Sequence, residues 1–281
     1  MSWARPSTNL DKILHTDWPS NKDLARGGLA ELVAMTLFVY FGCGAASSNA
    51  HFQASGEWDP ASVLAISLTF GLAITVLAYT TAHTSGGHIN CAVTFALTIV
   101  GECHPVRAVV YLAAQLLGSI FGALLLNATT TNDSSTLDRT GGLGANGYQN
   151  DSVTGANAFV VELMGTFLLV YVVLETAVNN KACTTEKPDV AKQSLAPIAI
   201  GLAVFVAHIF LVPITGCSIN PTRSFGPALV AGKWDNHWVW WVAPLCGALM
   251  AAILWLLAKV VLAPSDDETS TKTSQPMTTS V

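Results

Sequence analysis

The chain has 281 residues, of which 51% are hydrophobic and only 11% charged, less than half the roughly 25% charged fraction of an ordinary soluble protein. Its net charge of −5 comes partly from Asp266, Asp267 and Glu268 near the end and gives no sign of a nucleic-acid partner. So little polar surface excludes a water-soluble globule, and six cysteines lying mostly in or beside apolar segments imply no disulfide framework.

In chain order, residues 1–23 form a polar segment with Trp3, Asp11 and Trp18, so the first apolar run begins too far in for a cleavable signal peptide. That run, Leu29–Ala46, carries Glu31 and is the first predicted span. The second, Ala61–Ala82, has no charged residue and meets the roughly 20 apolar residues that a helix needs to cross a bilayer. After Ser-Gly-Gly-His-Ile-Asn, ending at Asn90, comes a short apolar piece, Cys91–Val100, which is only half a bilayer long. Ala108–Leu126, also uncharged, is the third span. A polar loop at 128–155 follows, with Asn-x-Ser/Thr glycosylation sequons at Asn132 and Asn150 and one beginning just before it at Asn127. The fourth span is Ala156–Val178, with Glu162 and Glu175, and the fifth is Ser194–Ile214, with His208 and two prolines. A second short piece, Pro221–Ala231, precedes the sixth span, Trp238–Leu262, which contains Lys259. The Ser/Thr-rich tail at 263–281 has little to bury and reads as disordered.

Ten of the 13 basic residues fall on the side of the two termini, so the positive-inside rule predicts a multi-pass protein with both termini cytoplasmic. The plasma membrane is expected in preference to an internal one.

The chain repeats itself. Glu31 to Tyr40 (ELVAMTLFVY) is echoed by Glu162 to Tyr171 (ELMGTFLLVY) at an offset of 131, and the third and sixth spans correspond at Gly118 and Gly247, an offset of 129. Between these landmarks Asn90 is answered by Asn220. Three spans per copy, about 24–127 and 156–262, force the second copy to enter from the opposite side, an inverted repeat. The two short pieces then dip in from opposite faces and meet midway. Non-helical backbone at that depth is tolerated only where protein or a wet cavity satisfies it. The free N–H groups of the two half-helices place partial positive charge at the midplane, beside the Asn90 and Asn220 amides, which repels cations and protons but not a neutral molecule.

With the paired asparagines, SGGHIN and the two Glu-Leu span openings, the chain resembles the aquaporin, or major intrinsic protein, family from about Leu24 to Leu262. The resemblance implies an all-α membrane protein of six transmembrane helices plus two re-entrant half-helices. The family's paired Asn-Pro-Ala signature stands here as Asn90-Cys91-Ala92 and Asn220-Pro221-Thr222, so one proline and one alanine are replaced. Matching by spacing assigns the family's narrowest constriction to Phe70, His208, Cys217 and Arg223, a set similar to that of water-selective members. Ser224 after Arg223, in place of the Asp usual in glycerol-conducting relatives, and the pair Trp240-Trp241 point the same way. Cys217 in that position implies block by mercurials.

The implied function is a passive water channel, not an enzyme, needing no cofactor and no metal, in a lipid bilayer, with water as its permeant and a homotetramer as its assembly. A broader channel for hydrogen peroxide, ammonia or glycerol, and a junction protein with a vestigial pore, are the alternatives. Glu31 and Glu162 read structurally, by family, as acceptors for the re-entrant backbone, and alternatively as a proton relay. Arg223 has both a pore reading and a loop-tying one. His83, His88, Cys91, Cys103 and His104 have no metal-ligand spacing. The loop Asn179–Gln193 lacks the histidine that gates plant plasma-membrane relatives.

Overall fold

The computed structural model describes residues 18–53, 57–130, 137–179 and 190–261. The tail from 263, the sequon at Asn132 and most of the loop expected to lack a gating histidine lie outside the described residues.

The local signals for starting and stopping helices are explicit. Ser20 caps α1 (Asn21–Asn49) by accepting from Asp23 N at 3.1 Å. Asp59 caps α2 (Pro60–Ser85), whose first residue is a proline that has no N–H to leave unpaired. That helix ends on Gly86 at φ 91°, a left-handed conformation that a side chain would oppose. The half-helix α3 (Cys91–Ile99) follows, then α4 (Pro105–Thr130). A reciprocal Thr154–Asn157 capping box opens α5 (Gly155–Val173), which runs into a π turn, Leu174–Val178. The set is completed by α6 (Val190–Thr215), the half-helix α7 (Pro221–Ala231) and α8 (Val239–Val261).

Six of these helices are long and apolar enough to span a membrane, and α3 and α7, with nine and eleven residues, are not. At 1.5 Å per residue the half-helices reach about 14–17 Å, half of a roughly 30 Å hydrocarbon core. An even number of spans leaves the start of α1 and the end of α8 on one face, called here the terminal face. The segment 137–154 lies on the opposite, loop face.

Hydropathy marks only the apolar centre of each span. The first, second, third and fifth spans therefore run further than predicted, the first from Asn21 to Asn49 instead of Leu29 to Ala46 because capped polar turns extend it, whereas the sixth, Val239–Val261, stays within its predicted bounds. The π turn at the end of the fourth span was not predicted, since it falls inside the run read as one continuous span.

Packing repeats the pseudo-symmetry of the sequence. A Cβ on Gly118 would strike the Leu32 carbonyl oxygen, and one on Gly247 would strike the Leu163 carbonyl oxygen, so α1 on α4 and α5 on α8 touch backbone to backbone at equivalent points. Gly71 and Gly201 do the same for α2 and α6, across the pseudo-twofold. Lipid supplies no hydrophobic drive for helix association, so close van der Waals contact at small residues holds the bundle. Leu64, Leu68, Leu72 and Val76 run exposed down α2, an apolar outer surface suited to a bilayer.

The polar loop between the two repeats is packed in part. Its segment 137–154 folds down onto the bundle, burying Asp138, Leu143 and Asn146, with Leu143 N donating to Asp138 Oδ2 at 2.8 Å. Asn127 lies inside the last turn of α4, while Asn150 sits in an exposed turn.

Candidate functional site

Each re-entrant segment turns on a residue that dislikes its conformation. Ile89 and Ile219 have φ of 50° and 43°, in the left-handed region where a β-branched side chain is strained. Buried carboxylates hold both. Glu31 Oε1 accepts from the Ser85 hydroxyl at 2.7 Å and His88 N at 2.9 Å, and Oε2 accepts from Ile89 N at 2.7 Å and the Gln115 amide at 2.8 Å. In the second repeat Glu162 Oε1 accepts from the Thr215 hydroxyl at 2.6 Å and Ser218 N at 2.8 Å, and Oε2 from Ile219 N at 2.7 Å. The polar groups of the inserted backbone are thereby paired at a depth where water cannot serve them all.

Asn90 and Asn220 are the N-caps of α3 and α7, and each also reaches into the opposite repeat. Asn90 Oδ1 accepts from Ala92 N at 2.8 Å while its Nδ2 donates to the Ile219 carbonyl at 2.8 Å. Asn220 Oδ1 accepts from Arg223 N at 3.2 Å while its Nδ2 donates to the Ile89 carbonyl at 2.7 Å. The two half-helices are thus cross-stitched at their positive ends, and one N–H of each amide is left over. Both asparagines line a cavity of about 220 Å³ that opens on the terminal face.

A second cavity, of about 450 Å³, lies on the loop face and includes Gly144, Asn146 and Gly216 in its wall. Between the two stand three of the four residues that spacing selects. The His208 ring stacks on Phe70 with centroids 4.3 Å apart and planes at 24°. The Arg223 guanidinium carbon lies 5.0 Å from the centroid of the same Phe70 ring, within cation–π range. Gly42 leaves room behind that ring, since a Cβ there would press on it at 2.5 Å. His208 Nδ1 lies 2.8 Å from the Val204 carbonyl and must donate to it, so in the neutral ring Nε2 is the acceptor. Nε2 has no protein partner, and His208 borders the terminal-face cavity. Cys217, fully buried at φ 53°, is tied through its N–H to the Thr215 hydroxyl.

Sequence reasoning missed the clamp on Arg223. Nη1 donates to the Gly144 carbonyl at 3.0 Å and to Asn146 Oδ1 at 2.9 Å, and Asn146 also accepts from the Ser224 hydroxyl at 2.7 Å. The same Asn146 donates to the Thr215 carbonyl at 3.2 Å, joining the loop to the second re-entrant turn. The only signal for it was the glycine density around Asn146, which in a polar loop carries little information.

The other candidates lie elsewhere. Cys91 borders an apolar groove of about 300 Å³ between α3, α4 and α8, away from both cavities. His88 Nδ1 pairs with the Thr94 hydroxyl at 3.0 Å, and burial raises the Cys103 thiol above its usual value. Among the described residues no three His, Cys, Asp or Glu side chains converge as a metal site.

Comparisons with known proteins agree with one another. A family profile described as "Major intrinsic protein" matches residues 19–255. The chain is 39% identical over 248 residues to a probable aquaporin TIP1-2 of Oryza sativa subsp. japonica, covering 88% of this chain and 92% of that one. It is 40% identical over 230 residues to aquaporin PIP2-7 of Arabidopsis thaliana, covering 81% and 78%. Among solved structures, the aquaglyceroporin from Plasmodium falciparum superposes with a TM-score of 0.69 at 24% identity, over 85% of this chain and 97% of that one, a likeness of fold alone.

Proposed function

The chain belongs to the major intrinsic protein family, and on that premise we propose that it is a passive water channel whose path runs between the two cavities through Phe70, His208, Cys217 and Arg223 and past Asn90 and Asn220. The observation that carries this reading is the convergence of His208 and Arg223 on one buried ring, Phe70. It puts an acceptor, a set of cationic donors and an apolar wall at the same level.

The chemistry follows from those groups. A water molecule entering a bore about its own width loses most of its hydrogen bonds, and the uncompensated loss would bar it. His208 Nε2 accepts one of its protons and the Arg223 guanidinium donates to its oxygen, so water is repaid where a carbon-bearing solute is not. The Gly144 and Asn146 acceptors hold Arg223 against one wall of the passage. Deeper in, the spare N–H groups of Asn90 and Asn220 donate to the water oxygen. Each water arriving there turns both its protons away from the half-helix ends, which interrupts a proton wire. Arg223 and the two helix N-termini repel cations, and each dipole end acts as roughly half a positive charge.

The protein works as a homotetramer with one passage per protomer, in keeping with the family. The terminal face is cytoplasmic, by the distribution of Lys and Arg, and the loop face with its larger vestibule is external; the plasma membrane is the expected site. A wider channel passing small neutral solutes is the second reading, favoured by Cys91 and Thr222 where relatives carry proline and alanine.

The test is stopped-flow shrinkage of proteoliposomes under an osmotic gradient. Water flux through the parent is expected to fall severalfold on adding mercuric ion and to recover with a thiol reductant, and Cys217→Ser is expected to conduct like the parent and resist mercury. Inhibition that persists in Cys217→Ser would move the assignment of the lumen to another thiol. Absence of flux from folded parent would leave the junction reading.

A further inference from the structure

Away from both cavities of the passage, an almost wholly apolar groove of about 300 Å³ runs between α3, α4 and α8, walled by Phe95, Ala108, Val109, Leu112, Trp241 and Leu245. Phe95 and Val109 are exposed, so the groove opens sideways on the outer surface of the bundle, within the spans Pro105–Thr130 and Val239–Lys259.

Water has little to bind there. The two hydroxyls in the wall, Thr94 and Thr98, commit their protons to backbone: Thr94 Oγ1 donates to the Asn90 carbonyl at 3.0 Å and Thr98 Oγ1 to the Thr94 carbonyl at 2.8 Å. The Thr94 oxygen also accepts from the Gln115 amide at 3.3 Å. An apolar space of this kind excludes water, and left empty it forfeits van der Waals contact along its whole wall. Hydrocarbon fills it without the loss of a hydrogen bond.

The groove also backs the first half-helix. Thr94, Phe95 and Thr98 form the outer side of α3, while Val93 and Leu97 on its inner side border the terminal-face cavity. A helix of nine residues is too short to hold itself together in isolation, and this one has a wet cavity along one side. What fills the other side therefore bears on how firmly Asn90 is held at its start.

The walls end in positive charge. α4 begins and α8 ends at the terminal face, and each carries a cation there, Arg107 in the first turn of α4 and Lys259 in the last turn of α8. Arg107 Nε is buried and has no hydrogen-bond partner among the described residues. Lys259 follows Trp241 by eighteen residues, roughly five turns, which puts it on the same face of α8. The acid in the α3–α4 connection, Glu102, borders the terminal-face cavity instead. An apolar slot at bilayer depth, with cations where its walls reach the surface, matches the two parts of an anionic phospholipid, a hydrocarbon chain and a phosphate.

We propose that the groove is a binding site for one anionic phospholipid, with an acyl chain laid against α3 and the headgroup phosphate held at the terminal face by Arg107 and Lys259. The lipid is then the outer packing wall of the half-helix that carries Asn90.

Trp241, in the groove wall, serves as reporter. Parent and Trp241→Phe are reconstituted in mixed vesicles of phosphatidylcholine and phosphatidylglycerol, with bromine on the acyl chains of one lipid or of the other. The difference in tryptophan quenching between the two proteins is the part due to Trp241. Brominated phosphatidylglycerol is expected to quench that part with an apparent affinity about fivefold or more above that of brominated phosphatidylcholine, given two cations near the surface. Arg107→Gln/Lys259→Gln is expected to abolish the preference, and Ala108→Phe, which fills the groove, to remove the quenching of Trp241 by either lipid. A Trp241 quenched by neither lipid in the parent, as when a second copy of the chain covers this face, would overturn the proposal. Equal affinities for the two lipids in the parent would do the same, as would a preference that survives in Arg107→Gln/Lys259→Gln or quenching that survives in Ala108→Phe. Should Ala108→Phe not be recovered folded, the charge variant by itself decides. None of these readings depends on water flux, so they stand or fall apart from the channel reading.

Discussion

Glu162→Ala is expected to abolish recovery of folded protein from detergent extracts. The carboxylate accepts from the Thr215 hydroxyl and from the backbone of Ser218 and Ile219, all buried. Hydrogen bonds to a charged group contribute about 1.5–3 kcal/mol each, so three of them represent roughly 4.5–9 kcal/mol. That is of the order of the whole stability of a domain, about 5–15 kcal/mol. Ile219 adds to the cost, because its left-handed backbone persists only while its N–H is held. Glu162→Gln keeps one carbonyl oxygen for Thr215 and Ser218 but turns an NH₂ toward Ile219 N–H, so it is expected to fold in reduced yield with a lowered melting temperature. Size-exclusion profiles and thermal melts of the three proteins make the comparison. An Ala variant that stays monodisperse and melts with the parent would mean that the inserted turn is held by something else.

The second large effect is on selectivity. His208→Gly removes the ring that stacks on Phe70 at 4.3 Å and deletes the unpartnered Nε2, leaving apolar space beside that ring. Glycerol uptake is expected to rise from background by at least tenfold, which corresponds to a barrier lowered by about 1.4 kcal/mol or more. Water flux is expected to change far less, since a wider bore offsets the lost acceptor. Swelling of proteoliposomes in isosmotic glycerol reads this directly. Unchanged exclusion of glycerol would place the size filter away from His208.

The sequence carried the parts of the fold that depend on local pattern. Six apolar runs gave six spans, and Asn before a ten-residue apolar piece gave the half-helices, observed at Cys91–Ile99 and Pro221–Ala231 against the expected Cys91–Val100 and Pro221–Ala231. The repeat did the rest, because two copies of one device constrain each other. The repeat picked out Glu31 and Glu162 as equivalent positions, the family resemblance gave them the loop-supporting reading, and in the fold each accepts from the turn of its own copy.

Contacts made across the repeat, or by the loop, left no such pattern. Asn146 is one polar residue among many in 137–154, and only the folded loop shows that it holds Arg223 and Ser224 together. Gln115 looks like a chance polar residue in a span, yet it donates to Glu31 from the neighbouring helix. The Arg223 guanidinium ties the loop and also lies over Phe70, a contact that its spacing alone did not give. The same holds for Cys91, which the motif places beside the pore but which borders the outer groove. Side-chain direction at the first turn of a half-helix depends on what abuts it, and spacing alone does not give that.

The central claim is that water passes in single file between Asn90 and Asn220 and through the Phe70–His208–Arg223 level. Osmotic permeability and the diffusional permeability of labelled water, measured on the same proteoliposomes, test it most directly. A file of waters that must move together gives an osmotic value severalfold above the diffusional one, with no accompanying proton or cation current. Equal values, or water flow that carries such a current, would contradict it.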